Sequence, residues 1–143
     1  MLREISAPEF TTGAAWMDEL HHGTAICLRR TCEALDRDFT DAYAKLVARL
    51  ELAFREEEER MSDLNPATIK CHREQHARVL RGMHCAYAQI LDGDVQLGRQ
   101  VANELLPRWL SWHIAEMDIP LANSTTKCAN DNTNATNAFI DVS

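Results

Sequence analysis

Apolar residues recur every three or four positions along most of the chain, the spacing of helices that each bury one face. The first predicted helix runs from Ala14 to Arg37, and the second opens at Thr40, an expected N-cap. The inward stripe of the first helix is Met17, His21, Ala25, Leu28, Cys32 and Leu35. The stripe of the second helix is Tyr43, Leu46, Leu50, Ala53, Phe54, Glu57, Met61 and Leu64.

Two further helices follow from breaks in the pattern. Asn65 and Pro66 suit the N-cap and first position of a third helix, and Gly93 and Asp94 suit its end and the next N-cap. Its stripe is Ile69, His72, His76, Val79, Leu80, Met83, Tyr87 and Ile90. The fourth helix extends to about Ala122, with Pro107 expected to bend it. Its stripe is Val101, Leu105, Leu106, Trp109, Trp112, His113 and Met117.

Four long helices with short links predict an all-α fold, an antiparallel up-down-up-down four-helix bundle over residues 14–122. Residues 1–14 contain Pro8, Gly13 and no helical period, and we expect an N-terminal arm there. Residues 123–143 are rich in Asn and Thr without an apolar period, which predicts a flexible tail.

The charge balance excludes some partners. With 15 basic and 22 acidic residues, the 143-residue chain has a net charge of −7, which argues against a nucleic acid or an acidic membrane surface. No apolar run approaches the length of a membrane span, and the first twenty residues lack the pattern of a signal peptide. Five cysteines without a Cys-x-x-Cys pair suit a reducing compartment, so we expect a cytoplasmic protein.

Several of the six histidines occupy positions that the helical period assigns to the core. His72 and His76 are spaced i, i+4, so both imidazoles can reach one ion. A single inward histidine is more often a hydrogen-bonded core residue than a ligand, which is the plainer interpretation of His21 or His113 taken alone. His22 falls on the polar face of the first helix. His84 falls beside its stripe, where a hydrogen bond to backbone is expected.

Glu57 is the acidic residue that falls on an inward stripe, whereas the neighbouring Glu56, Glu58 and Glu59 read as a solvated face. An isolated buried carboxylate is very costly. Inward histidines on the first, third and fourth helices and the inward glutamate on the second would be neutralised together by a bound metal. The cysteines show no ligand spacing and are expected to be small core residues or exposed thiols.

These residues resemble the hemerythrin family of oxygen-binding di-iron four-helix bundles, over about residues 10–122. The family pattern is a lone His on the first helix, His-x-x-x-Glu, His-x-x-x-His and His-x-x-x-x-Asp. The first, third and fourth elements match at His21, at His72 with His76, and at His113 with Asp118, in a Trp-x-x-Trp-His-Ile setting. In the second element Glu57 is present, but Ala53 stands where the family has histidine.

The resemblance implies two oxo- or hydroxo-bridged iron ions. His72, His76 and His113 would bind one iron, Glu57 and Asp118 would bridge, and His21 would bind the second. Asp118 is taken from the resemblance alone, because five residues at ~100° each leave it ~140° from the face of His113. Pro120 is expected to loosen the helix and turn Asp118 inward.

The implied function is binding of dioxygen at the open iron, by a protein that is more a carrier than an enzyme. With Ala53 the second iron has extra open positions, so faster autoxidation is expected. Three alternatives stay open: a di-iron enzyme acting on peroxide, NO or dioxygen, an oxygen or redox sensor or iron store, and a protein with a mononuclear site at His72, His76 and His113. The donor set would also accept manganese or zinc.

Overall fold

The computed structural model describes residues 11–125, which form four helices and no strand. The helices are α1 (Ala15–Glu33), α2 (Asp36–Glu59), α3 (Pro66–Leu91) and α4 (95–125). Successive helices pack on one another, and α4 also packs on α1, as in a four-helix bundle. Most of the predicted arm and tail, 1–10 and 126–143, lies outside the described residues. None of the described helices is long and apolar enough to cross a membrane.

The predicted start of α3 and the break before α4 are confirmed. Asn65 Oδ1 accepts a hydrogen bond from the Ala67 N–H at 2.8 Å, and proline follows it at the first helical position. Gly93 adopts a positive φ of 107°, which a residue with a side chain rarely adopts. Asp94 Oδ1 then accepts from the Leu97 N–H at 3.0 Å and begins α4.

The predicted boundary between the first two helices is wrong. α1 ends at Glu33 and α2 begins at Asp36, so Thr40 lies within a helix and is not its N-cap. Acidic residues in the first turn of α2 favour this earlier start through the helix dipole. Leu35, which the period assigned to the core, occupies the link in an extended conformation and is 57% exposed.

Helix α4 is continuous but contains two wider π-helical turns. Its backbone keeps right-handed helical angles at every junction between turns. Each π turn ends two residues before a proline, at Leu105 before Pro107 and at Asp118 before Pro120. In order, the segments of α4 are α-helical Val95–Gln100, π-helical Val101–Leu105, α-helical Leu106–His113, π-helical Ile114–Asp118 and α-helical 119–125.

The first π turn removes the helical donor of one buried carbonyl. The Leu106 N–H bonds to Val101 O, five residues back, and therefore does not bond to Ala102 O, its partner in an α-helix. The next residue, Pro107, has no N–H that could bond to Ala102 O instead. The Cys32 thiol on α1 donates to Ala102 O at 3.4 Å. Burial and the nearby Glu33 charge raise the pKa of this thiol, so it stays protonated and able to donate. A side chain of α1 therefore satisfies the backbone of α4.

Two residues of α4 that were predicted to lie in the core are exposed because of the first π turn. Leu105 is 46% exposed and Trp112 is 49% exposed, although the continuous period placed both on the inward stripe. One extra residue in the helix shifts its phase, and Leu106, Leu110 and His113 take the inward positions. α4 also continues to 125, beyond the end predicted at about 122.

We expect Cys32→Ala to lower the free energy of unfolding by about 1–3 kcal/mol, because Ala102 O then stays buried without a donor. Cys32→Ser keeps a donor and should recover part of that loss. Urea unfolding followed by circular dichroism measures both, and Cys85→Ala, at an exposed thiol, is the matched control. Equal stability of the alanine and serine variants would contradict the proposed hydrogen bond.

Candidate metal centre

Polar side chains from all four helices meet inside the bundle. His21 comes from α1, and its Nε2 lies 2.9 Å from Asp118 Oδ2. The other ligand atoms come from α2, α3 and α4, lie within 4.8 Å of one another and belong to buried residues: Glu57, His72, His76, His113 and Asp118.

Three imidazoles form one side of this cluster. His113 Nε2 lies 3.2 Å from His72 Nε2 and 3.1 Å from His76 Nε2. One oxygen of each carboxylate completes the group, with Glu57 Oε2 2.9 Å from His76 Nε2 and Asp118 Oδ1 3.0 Å from His113 Nε2. Ligands held at ~2.1 Å and at right angles around an ion are ~3 Å apart. The five atoms are therefore close enough together to hold a metal ion.

The second oxygen of each carboxylate faces His21. Asp118 Oδ2 is 2.9 Å and Glu57 Oε1 is 4.0 Å from His21 Nε2. Each carboxylate thus has one oxygen on the three-histidine side and one on the His21 side.

The two carboxylates are ionised despite their burial. Burial and the Asp118 charge push the pKa of Glu57 up, but contacts with His113, His72 and His76 outweigh them, and the pKa lies below its usual value. The pKa of Asp118 is likewise opposed by burial, yet its imidazole contacts, led by His113, hold it well below its usual value.

The same contacts act on the imidazoles in the opposite sense. Burial alone would lower the pKa of His113, but the Asp118 and Glu57 carboxylates raise it to about 9. The pKa of His72 is also raised, against burial, by the same two carboxylates. His72 and His113 therefore supply positive charge that these carboxylates need inside the bundle.

Two polar side chains outside the cluster orient its imidazoles. The His76 Nδ1–H donates to Glu58 Oε1 at 3.2 Å, and the His113 Nδ1–H donates to Gln75 Oε1 at 3.2 Å. Such bonds direct the other ring nitrogen, Nε2, toward the centre. By contrast, His21 Nδ1 is buried and has no hydrogen-bond partner in the described part of the chain.

Aromatic rings cover two of the imidazoles. The Phe54 ring stacks on His76 with centroids 3.9 Å apart and planes 5° from parallel. The Trp109 ring stacks on His113 at 4.4 Å and 13°. These contacts limit rotation of the imidazoles and exclude water from that side of the cluster.

The second π turn of α4 brings Asp118 to the face of His113. In an α-helix, residues five apart point ~140° away from each other. Over Ile114–Asp118 the turn is wider, and the Ile119 N–H bonds to Ile114 O, five residues back. The next residue is Pro120, which has no N–H to restore the tighter turn. The expected loosening near Pro120 therefore takes the form of a π turn.

All six predicted site residues lie together at this centre. His22 is exposed, as its phase predicted. Two other expectations were wrong: Glu58 contacts His76, and His84 is exposed and bonds to Glu51 Oε1 at 2.7 Å, away from backbone. Ala53 is buried, with 3% of its surface exposed.

Sequence reasoning missed Glu58 and Gln75 as partners of the site. Their phases place them beside the inward stripes, where the period gives no reason to separate them from solvated residues. Each is adjacent in sequence to an inward residue, Glu58 to Glu57 and Gln75 to His76. Adjacency to a candidate ligand is the signal that could have identified them.

Comparison with known proteins gives one relative. The chain is 32% identical over 106 residues to a bacteriohemerythrin of Ralstonia nicotianae, and the match covers 74% of this chain and 77% of the relative. No family model matches the chain. No solved structure matches it either.

Deletion of Ala115 is expected to preserve metal binding. The deletion removes the extra residue of the second π turn and leaves the histidine and the aspartate four residues apart, which is ~40° and the same face of an ordinary α-helix. Insertion of one alanine after Ala115 turns the aspartate more than ~100° from His113 and should abolish tight binding. Metal retained after gel filtration measures both effects, and circular dichroism should show helix content close to that of the parent. Loss of metal binding after the deletion would refute the role of the wide turn in aligning His113 with Asp118.

We expect Glu58→Gln to weaken metal binding, by up to about 10-fold, because the charged acceptor of the His76 ring becomes a neutral one. Glu59→Gln removes the same charge at an exposed position and should bind as the parent does. Competition with a chelator measures both affinities. The same loss in both variants would mean that only overall charge matters.

Proposed function

Because this chain belongs to the hemerythrin family, we propose that it binds two oxo- or hydroxo-bridged iron ions and takes up dioxygen at the more open iron. The observation that carries the proposal is the two-sided placement of Glu57 and Asp118, each with one oxygen toward three imidazoles and one toward His21. Two separate groups of donors around a shared carboxylate pair fit two ions better than one.

The donor set fits iron. Imidazole and carboxylate ligands suit iron in proteins, and two carboxylates supply charge for a dinuclear centre. Glu57 Oε2 and Asp118 Oδ1 are buried and make no hydrogen bond of good geometry, although imidazole nitrogens lie close to both. Acceptor atoms that face a common point without a donor aimed at them suit a cation at that point.

The two ions are held unequally. His72, His76 and His113 would hold the first, together with one oxygen from each carboxylate. The second would be held by His21 and the other two oxygens, since Ala53 offers no donor. We therefore expect the three-histidine position to fill first and the His21 position to bind its ion more weakly.

When bound, reduced iron would supply a redox-active cation that can give electrons to dioxygen. The residues of the chain prepare this site in three ways. Glu57 and Asp118 provide the charge, Glu58 and Gln75 fix the rings of His76 and His113, and Phe54 and Trp109 keep water from two of the imidazoles.

We also propose that the four helices follow an up-down-up-down topology. It is supported by an apolar cluster that joins the start of α1, the end of α2 and the end of α4. Its buried members are Ala14, Met17, Met61, Leu121 and Ala122. A cytoplasmic location is proposed as well, because Cys27, Cys32, Cys71 and Cys85 are all free thiols.

A second candidate is an enzyme that turns over dioxygen, peroxide or NO. The three-donor position at His21 favours it, since more coordination sites are open there than in a centre with a histidine at position 53. A carrier takes up one dioxygen per centre and releases it when oxygen is removed. An enzyme continues to consume oxidant while a reductant lasts.

The test is metal content with the optical spectrum of reduced, iron-loaded protein before and after exposure to oxygen. We expect close to two irons per chain and a charge-transfer band that appears with oxygen and disappears when oxygen is removed. Ala53→His should slow the decay of this band, because it restores a donor and fills space open to water. One iron per chain would indicate the mononuclear alternative, and no oxygen-dependent band would refute dioxygen binding.

A further inference from the structure

A groove on the outside of the bundle, the α3–α4 groove, runs between these two helices. Its cavity has a volume of about 480 Å³, a size typical of sites that bind small molecules. Apolar side chains of both helices line it, among them Met83 of α3 and Val101 and Leu105 of α4. Sites for small molecules combine such walls with a few polar groups that orient the ligand.

Two departures from a regular helix occur at the α3–α4 groove. Gly82 lies within α3, where glycine is less favourable than alanine, and no atom of another helix lies within 4 Å of the position that a Cβ would take there. The first π turn of α4 begins at Val101 and ends at Leu105, which both line the groove, and Leu105 is left 46% exposed. π turns are frequent at functional sites. One helix thus lacks a side chain, and the other has an extra residue, at the same place.

Arg78 is the charged residue among those that line the α3–α4 groove, and it is exposed. Its guanidinium has no ion pair within residues 11–125. Glu74, one turn earlier on α3, pairs instead with Lys70 at 3.9 Å. An unpaired cation beside apolar walls, in a chain with a net charge of −7, is complementary to an anion with an apolar body.

The two ends of the α3–α4 groove differ. Trp109 lines one end, and its ring stacks on His113 with centroids 4.4 Å apart. Arg78 lies near the same end, two residues beyond His76, whose Nε2 is 3.1 Å from His113 Nε2. Val101 lies farther from the metal centre, because the eight residues of helix between it and Trp109 span ~12 Å. The groove therefore fits an elongated ligand with its charge at the Trp109 end.

We propose that the α3–α4 groove binds a medium-chain carboxylic acid, with its carboxylate beside Arg78 and its alkyl chain along Leu105 and Val101. Burial of the chain against aliphatic walls provides most of the affinity, and the ion pair at the exposed arginine adds a smaller part. The bound acid contacts Trp109, the ring that separates the groove from His113. This site is separate from the metal centre and does not depend on a bound metal.

The experiment titrates octanoate, and octanol as its uncharged counterpart, into the protein by isothermal titration calorimetry. Arg78→Gln is expected to weaken octanoate binding about three- to fivefold, the size of an ion pair at an exposed position, and to leave octanol binding unchanged. Arg55→Gln removes an exposed arginine of α2 and is the matched control. It should bind both probes as the parent does.

A second variant fills the α3–α4 groove. Gly82→Leu places a side chain in open space, and leucine also favours the helix, so the protein should stay folded by circular dichroism. Binding of both probes should be lost. Ala88→Leu adds a similar side chain at an exposed position of α3 outside the groove, and it should bind both probes as the parent does.

Four results would overturn the proposal. The first is a parent protein that does not bind octanoate. The second is octanoate binding that survives Gly82→Leu, since the acid would then bind elsewhere, for example with its carboxylate on a metal ion. The third is equal weakening of octanoate and octanol by Arg78→Gln, since charge would not select the ligand. The fourth is a dimer of the parent that Gly82→Leu dissociates, which would assign the groove to a second copy of the chain. None of these results decides whether the metal centre is correct, because iron content and the optical spectrum test it separately.

Discussion

The bundle is organised around two carboxylates that are ionised although almost no water reaches them. Glu57 and Asp118 are each about 1% exposed, a position in which a lone carboxylate would be very costly. Contacts with imidazoles from α1, α3 and α4 offset this cost. Every helix must therefore keep its register, because a shift of one residue would leave a buried charge unmatched.

Helix α4 meets this requirement by departing from α-helical geometry. It must present His113 and Asp118 to the same point, and five residues of α-helix cannot do so. The wide turn between them corrects the angle, and Pro120 lies where the helix would otherwise tighten again. The earlier wide turn exposes a carbonyl inside the core, and Cys32 satisfies it.

Much of the fold and most of the site follow from sequence. The helical period identified four helices and the inward histidines, and Asn65 and Asp94 marked two helix starts, because these features depend on neighbouring residues. The inward placement of Asp118 could not be derived from the period, which assumes a uniform turn, and came from the family resemblance. Leu105 was wrongly assigned to the core because the period also omits the extra residue of the first π turn. Glu58 and Gln75 were missed because their partners lie on other helices.

The two wide turns of α4 also affect how this chain is compared with its relatives. Each π turn amounts to one residue inserted into a helix, and here the insertions lie on either side of the segment Leu106–His113. An alignment with a protein whose fourth helix is uniform would need single-residue gaps inside the helix, where gaps are normally penalised most. Without those gaps, the residues beyond each turn would be equated with neighbours that point elsewhere.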